Sequence, residues 1–457
     1  MMRLPGMVAL LLALAVLCGA CTSVVAGSPT AAGTGPIAGN DVDPSFVRGT
    51  DGSAVDRLAA TAVVDVQEFW RQSFPSMFGR QWTDLTGGAY SVDTTDQDAK
   101  PVPCVTKAAD VAGNAFYCPA SDAIAWDRSA LLPVLQNKFG DTAVVIVLAH
   151  ELGHAVQHRT GLTHDSQREQ PESYPTIVIE AMADCYAGAF LRWTIDGHAP
   201  HLRIGHESLD SALGALVTFR DPIGTARSDQ AAHGNAFDRV SAFQDGYQQG
   251  GKLCSQMTAQ NRQFTQHGFT SRDDQASGGN LTLDTMLELI TPDLAGYFGG
   301  LVTAAGKPWT APKVTRGAPS CGDKQGPIAF CSAGTEIDVQ TDGTLSTLHN
   351  QIGDYATGTL MASRYGLAAM AALGRPTDQG TSGHDGLCLA GAYTGTVLSR
   401  SQGFGLSPGD LDEAVQVLLG YDYAARDTAG HNAVNPGFER VAVFRLGVLG
   451  GAKSCGV

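Results

Sequence analysis

Two histidines and a glutamate stand at a spacing that does chemistry. In His150-Glu151-Leu152-Gly153-His154 the imidazoles are four residues apart. On a helix that is one turn along one face, so both rings can reach a single metal ion. Glu151, beside the first ring, is placed to address a water at that ion. Zinc in catalytic sites takes three protein ligands and leaves a position for water. His158 lies two turns from His150 and should point past the ion. The longer pattern HExxHxxGxxH fails, because Gln157 stands at its glycine and Thr160 at its last histidine. Glu180 is the better third ligand. It interrupts an otherwise apolar stretch, 177–188, where an unpaired carboxylate would be costly to bury. Asp184 follows by one turn on the same face, a spacing suited to a carboxylate that receives the free N–H of a ligating histidine. Glu169 and Glu172 are weaker choices, since Gln170, Pro171 and Ser173 around them read as a loop.

These side chains need rigid elements beneath them. Residues 142–159 read as a helix capped by Asp141 and closed by Gly161, and 177–193 as the helix carrying Glu180 and Asp184. Residues 54–74 place Leu58, Val63, Val66 and Trp70 at helical spacing, and a fourth helix precedes Cys254. Short alternating stretches at 115–117 and 123–126 predict a small sheet beside a cysteine bridge. The fold class expected is α+β and mostly helical.

With 457 residues, 43% hydrophobic and 16% charged, the chain has material for a sizeable core. Its formal charge of −15 leaves no broad basic face for phosphates, so nucleic acid is not expected as a partner. Arg3 followed by an apolar run from Met7 to Leu17 and by Gly19, Ala20 and Cys21 reads as an export signal, too short to span a membrane. Residues 17–21 resemble a bacterial lipoprotein signal with Cys21 as the lipidated residue, although Cys18 stands where leucine is usual. The alternative is a cleaved secretory signal. Residues 22–53, rich in Gly, Ala, Ser, Thr and Pro, form a flexible tether that spans roughly 30 Å as a coil. The expected location is therefore the outer face of the cell membrane, with the lipid at Cys21 as the membrane contact.

Past the tether the chain repeats itself. Segment 147–161 lies over 360–374 without a gap, 185–190 over 388–393, and 237–243 over 438–444. Eight cysteines (Cys104, Cys118, Cys185, Cys254, Cys321, Cys331, Cys388 and Cys455) fall into two sets of four in the same order. Export lets such cysteines persist as disulfides. Duplication predicts Cys104–Cys118 with Cys185–Cys254, then Cys321–Cys331 with Cys388–Cys455. Four cysteines admit three pairings, and spacing alone selects none of them. In the second copy His150, Glu151 and His154 correspond to Ser363, Arg364 and Leu367, while Glu180 and Asp184 face Gly383 and Leu387. That copy has lost the chemistry, and its His384 and His431 read as surface residues. The organisation expected is a signal peptide at 1–20, a tether at 21–53, a chemical domain at 54–254, a linker at 255–280 and a degenerate domain at 281–457.

The first copy resembles the bacterial neutral zinc metallopeptidases, zincins of the two-His-plus-Glu kind. The resemblance rests on Phe116, Tyr117, Cys118 and Pro119, on 149–157, on Glu180 with 183–185 and 187–188, and on His233, Gly234 and Arg239. These span about a third of the chain. Ala155, where relatives often carry histidine, is not a ligand position. The resemblance implies a zincin-like fold holding one zinc ion per chain through His150, His154 and Glu180. Glu151 would be the catalytic carboxylate, and His233 a hydrogen-bond donor to the transition state. It implies hydrolysis of a peptide or protein substrate, and an amidase acting on cell-wall peptides would use the same residues. A competing reading is an exported binding module with a structural zinc and the degenerate copy as its working surface. An open fourth metal position separates the two.

Overall fold

Helix α1 (Ala54–Phe78) begins where the Ser53 hydroxyl accepts the Asp56 N–H, and ends at Gly79 in the left-handed conformation. It belongs to a computed structural model that describes residues 42–457 except Gly334, so the signal, Cys21 and most of the tether lie outside the described residues. The helix runs a turn beyond 74 because Pro75, which lacks an N–H, still offers its carbonyl to Gly79. Strands β1 (Val47–Arg48), β2 (Gly88–Val92), β3 (Ala115–Cys118) and β4 (Ala123–Asp127) form one sheet in the order β1-β2-β4-β3. The β3–β4 pair is the expected antiparallel one, with Phe116 opposite Ala125. Strands β2 and β1 add to it in parallel.

After α2 (Leu131–Phe139) comes α3 (Asp141–Thr160), enclosed by α1, α2, α5 (Thr176–Ile195) and β3. Enclosure explains why α3 and α5 are apolar on nearly every side. Asp141 is the first helical residue of α3; Gly140, with φ 77°, occupies the cap position. The aspartate still sets its charge at the positive end of the helix dipole, and its carboxylate accepts Gln136 Nε2 at 2.8 Å. Gly161, φ 91°, stops the helix. A short α4 (His164–Glu169) precedes α5. Helices α6 (Leu209–Thr218), α7 (Ala236–Gln249) and α8 (Gly251–Cys254) complete the first half.

Residues 255–280, which include α9 (Arg272–Ser277), do not hang free. Buried Asp238 accepts the N–H groups of Thr265 and Gln266 at 2.9 and 3.0 Å, and Arg262 pairs with Asp245 at 2.6 Å. The second half contains α10 (Leu283–Ala304), β5 (Lys313–Arg316), β6 (Ile328–Cys331), β7 (Glu336–Val339), α11 (Thr344–Gln351), α12 (Asp354–Ala372), α13 (Gly380–Ser399), α14 (Asp410–Gly420) and α15 (Gly437–Ser454). Its sheet order, β5-β7-β6, has one parallel and one antiparallel pair, as in β2-β4-β3. The architecture is thus α+β, mainly helical with small sheets.

The four disulfides are Cys104–Cys118, Cys185–Cys254, Cys321–Cys331 and Cys388–Cys455. In each half the longer bridge ties a central helix, α5 or α13, to the end of the half. A continuous apolar core runs through both halves. Across their junction two aspartates exchange roles. Asp412 at the start of α14 accepts Ala236 N–H at 2.8 Å at the start of α7. Asp210 at the start of α6 accepts Gly437 and Phe438 N–H at 2.9 and 2.7 Å at the start of α15.

Candidate metal centre

The site lies where α3 crosses α5. A Cβ on Gly153 would sit 2.9 Å from Ala183 Cα, so the glycine lets the two helices approach closely enough for their side chains to share one point. From α3 come His150, Glu151 and His154; from α5 come Glu180 and Asp184. His150 Nε2 lies 3.1 Å and His154 Nε2 3.6 Å from Glu180 Oε2. Donor atoms of the three residues all fall within 4.8 Å of one another.

The far sides of both rings are committed. His150 Nδ1 is 2.7 Å from Asp184 Oδ1, and His154 Nδ1 is 2.9 Å from Gln157 Oε1. The Gln157 amide cannot be reversed, since its nitrogen donates to the Ile179 carbonyl at 2.6 Å. Both partners are acceptors, so each Nδ1 carries a hydrogen and each Nε2 is the atom left to face Glu180. Two ring nitrogens facing one carboxylate oxygen hold positive charge between them, as protons or as a metal ion in their place. Two imidazole nitrogens with one carboxylate oxygen are a donor set of catalytic zinc, and the residues present fit that ion.

The electrostatics agree. Burial opposes charge on His150, but Asp184 and Glu180 prevail and push its pKa up to about 10. His154 is raised in the same way, with burial overcome by Glu180. Burial would lift Glu180, yet the two imidazoles hold it well below the usual carboxylate range. Asp184, fully buried, is also lowered against its burial, chiefly by Arg239. That guanidinium binds it in two places at 2.8 Å and donates to the Phe219 carbonyl at 2.6 Å. Glu151 differs. Burial raises its pKa, with the two imidazoles working the other way, and its Oε2 accepts the Tyr117 N–H at 3.1 Å.

His233 borders the same cleft, of about 1470 Å³, as His150, Glu151, His154 and Glu180. Its side chain is 50% exposed, with Nδ1 3.4 Å from Asp221 Oδ1. The other Asp221 oxygen accepts the backbone N–H groups of His233 and Gly234 at 2.8 and 2.9 Å. The Asp221 contact raises the His233 pKa more than burial lowers it. The remaining candidates fall elsewhere. His158 pairs with the Tyr117 hydroxyl at 3.2 Å, outside the donor cluster. Glu169 ends α4 rather than lying in a loop, and both it and Glu172 are exposed.

Three contributors were not read from the sequence. Gln157 enters the sequence argument only as the residue at the glycine of the longer zinc pattern, although its place three residues after His154 on one helix is a readable signal. Arg239 carried no role, and Asp221 left no local signature. In the second half, the sequence alignment of the two segments sets Arg364 against Glu151. The arginine is buried, donates to Gln325 Oε1 and the Tyr423 carbonyl at 2.7 Å each, and burial lowers its pKa to about 9. Gly383 stands for Glu180, and a Cβ there would lie 1.9 Å from the Ala425 carbonyl oxygen. At 383 there is no room for a ligand side chain as packed. His431 is exposed and His384 half-buried, each beside an aspartate.

A family model described as "Putative neutral zinc metallopeptidase" matches residues 4–257. The chain is 30% identical over 162 residues to the uncharacterized protein Rv2575 of Mycobacterium tuberculosis, covering 32% of this chain and 55% of that protein. It is 30% identical over 152 residues to the uncharacterized protein YpfJ of Escherichia coli K12, covering 30% of this chain and 50% of that one. The chain thus spans about half the length of the curated relatives it matches. No solved structure shows significant similarity to it.

Proposed function

The chain belongs to the neutral zinc metallopeptidase family, and from that premise we propose that it hydrolyses peptide bonds with zinc held by His150, His154 and Glu180. The observation that carries this reading is the convergence of two Nε2 atoms on one carboxylate oxygen, with Glu151 alongside and the cluster facing a cleft. When bound, zinc supplies a Lewis acid that polarises a carbonyl and brings the pKa of water toward about 7.

The chain's own groups do the rest. Glu151, made more basic by burial, accepts a proton from the attacking water and hands it to the leaving amine. His233, its basicity raised by Asp221, donates a hydrogen bond to the developing oxyanion. Arg239 keeps Asp184 ionised, and Asp184 and Gln157 hold the two rings in the tautomer that frees Nε2. Strand β3 lies at the sheet edge, and its residues 115–117 border the cleft, where an extended peptide can pair as an added strand. Glu151→Gln should keep zinc, measured by elemental analysis, while hydrolysis of a peptide library falls by at least about 100-fold. Full activity in that variant would refute the assignment.

The size of the cleft disfavours a purely structural metal. A hydroxamate binds a metal with an exchangeable position, and a closed site would ignore it. We read the second half as a degenerate duplicate. The repeated sheet order, the two sets of bridges and the reciprocal aspartate caps support that reading. The four disulfides fit an oxidising, exported location. Among the described residues no helix is long and apolar enough to cross a membrane. The attachment we propose is a lipid at Cys21.

A further inference from the structure

Arginine is the only type of basic side chain other than histidine along the cleft, supplied by Arg168, Arg220 and Arg239. Two are spent. Arg239 is buried and committed to Asp184 and the Phe219 carbonyl. Arg168 is 78% exposed and pairs with Asp165 of its own short helix. Arg220 is different. Its Nε lies 2.8 Å from Asp412 Oδ2, a carboxylate 3% exposed that comes from the second half. The N–H does not point along that line, so the contact is an ion pair and not an aligned hydrogen bond. Among the described residues neither terminal nitrogen of Arg220 has a hydrogen-bond partner, and the side chain remains 25% exposed.

Asp412 engages only one edge of this cation. Its Oδ1 accepts the Ala236 N–H at 2.8 Å at the positive end of α7. What remains is a guanidinium tethered on one side, with an unused donor fork in a cleft of a chain carrying 45 acidic and 30 basic residues. Such a fork matches a carboxylate in two-point geometry.

We propose that Arg220, held by the second half's Asp412 as a positioning residue, forms a carboxylate-binding subsite, so that the preferred substrate is an anionic peptide. This rests on the peptidase reading and adds a substrate class to it. It also gives the degenerate half a part in recognition. The carboxylate can come from an acidic side chain or from a free peptide C-terminus.

The test uses the full-length, zinc-loaded Glu151→Gln chain and three peptides of equal length. One has an internal glutamate and an amidated end, one is neutral with a free C-terminus, and one is neutral and amidated. Binding is read by fluorescence anisotropy. At least one anionic peptide should bind roughly 10- to 100-fold more tightly than the neutral amidated one, and which one does so identifies the source. Adding Arg220→Gln should abolish that preference and leave the neutral peptide within about twofold. Arg220→Lys should keep part of the preference, and Asp412→Asn should weaken it. Equal binding of all three peptides overturns the proposal before any further variant is made. So does an Arg220→Gln chain that loses affinity for neutral and anionic peptides alike, the behaviour of a mere strut. If the native chain hydrolyses no peptide yet binds anionic ones through Arg220, the hydrolytic reading fails and this one stands. Hydrolysis with no anionic preference has the opposite meaning.

Discussion

Asp184→Asn removes one charge from the site while nearly preserving shape, and two separate consequences can be worked out. Asp184 is fully buried and accepts one imidazole N–H at 2.7 Å and two guanidinium N–H groups at 2.8 Å. Arg239 is itself 6% exposed, so the substitution leaves a buried cation without its counter-charge. Removing one partner of such a pair costs about 3–5 kcal/mol. Losing the carboxylate behind a ligating histidine costs about 10- to 100-fold in metal affinity. Urea unfolding of the metal-free chain reads the first effect, and chelator competition for zinc reads the second. The two separate in the double variant Asp184→Asn with Arg239→Met. With both charges gone, the chain should regain part of its stability, for a coupling of about 2 kcal/mol, while zinc affinity stays low. Losses that add within about 0.5 kcal/mol would show that the two residues do not act as a pair. Unchanged zinc affinity in Asp184→Asn would remove the carboxylate from the metal site altogether.

Three other expectations come from charge and chain topology. Below pH 10 the metal must displace at least the proton on His150, whose pKa is raised to about 10, so zinc affinity should climb about tenfold per pH unit between pH 6 and 8, and a flat chelator-competition profile would contradict this. In the second half, burial and mutual repulsion raise Asp354 to about 6, Glu413 to about 8 and Asp410 well above its ordinary value. The folded state therefore holds more protons than the unfolded state, so this cluster's contribution is complete below about pH 4 and lost as pH rises to 8; Glu413→Gln should flatten the urea-midpoint profile across that window. Removing the bridge that closes 69 residues, by Cys185→Ala with Cys254→Ala, should cost about 4 kcal/mol, and a change below 1 kcal/mol in urea unfolding would leave that bridge without a stabilising role.

What could be read from the sequence followed the range of the interactions. Periodicity located α3 and α5 within two residues, because both helices are long and bury an apolar surface. The carboxylates at 180 and 184 announced themselves by interrupting that surface. Strands β1 and β2 escaped notice because their parallel pairing is non-local and Gly88–Val92 shows no clean alternation. Asp221 was missed for the same reason, since its partners at 233, 234 and 266 lie in separate segments. Gln157 is the one omission that local reasoning had the means to avoid. The polar composition of 255–280 marks a linker but does not show what it packs against. Its backbone N–H groups are nonetheless drawn onto buried Asp238.

If the second half is read as a duplicate of the first, the positions that match are ones on which packing depends, and the positions that differ are ones that the proposed chemistry needs. Gly366, opposite Gly153, keeps a close helix crossing, with the Gly386 carbonyl oxygen 2.7 Å from where its Cβ would be. The bridges recur, and Asp210 and Asp412 cap each other's half. By contrast, the Glu180 position is glycine pressed against the Ala425 carbonyl, so a carboxylate could return there only if the backbone moved. That asymmetry makes restoring a second metal site a matter of rebuilding the 423–426 segment and not of exchanging three side chains. The junction imposes a different constraint. Asp412 touches both Arg220 and the start of α7, so a change there acts on the cleft and on the seam between halves together. A substitution of Asp412 should therefore be read in two assays at once, urea unfolding for the seam and peptide binding for the cleft, because one carboxylate serves both.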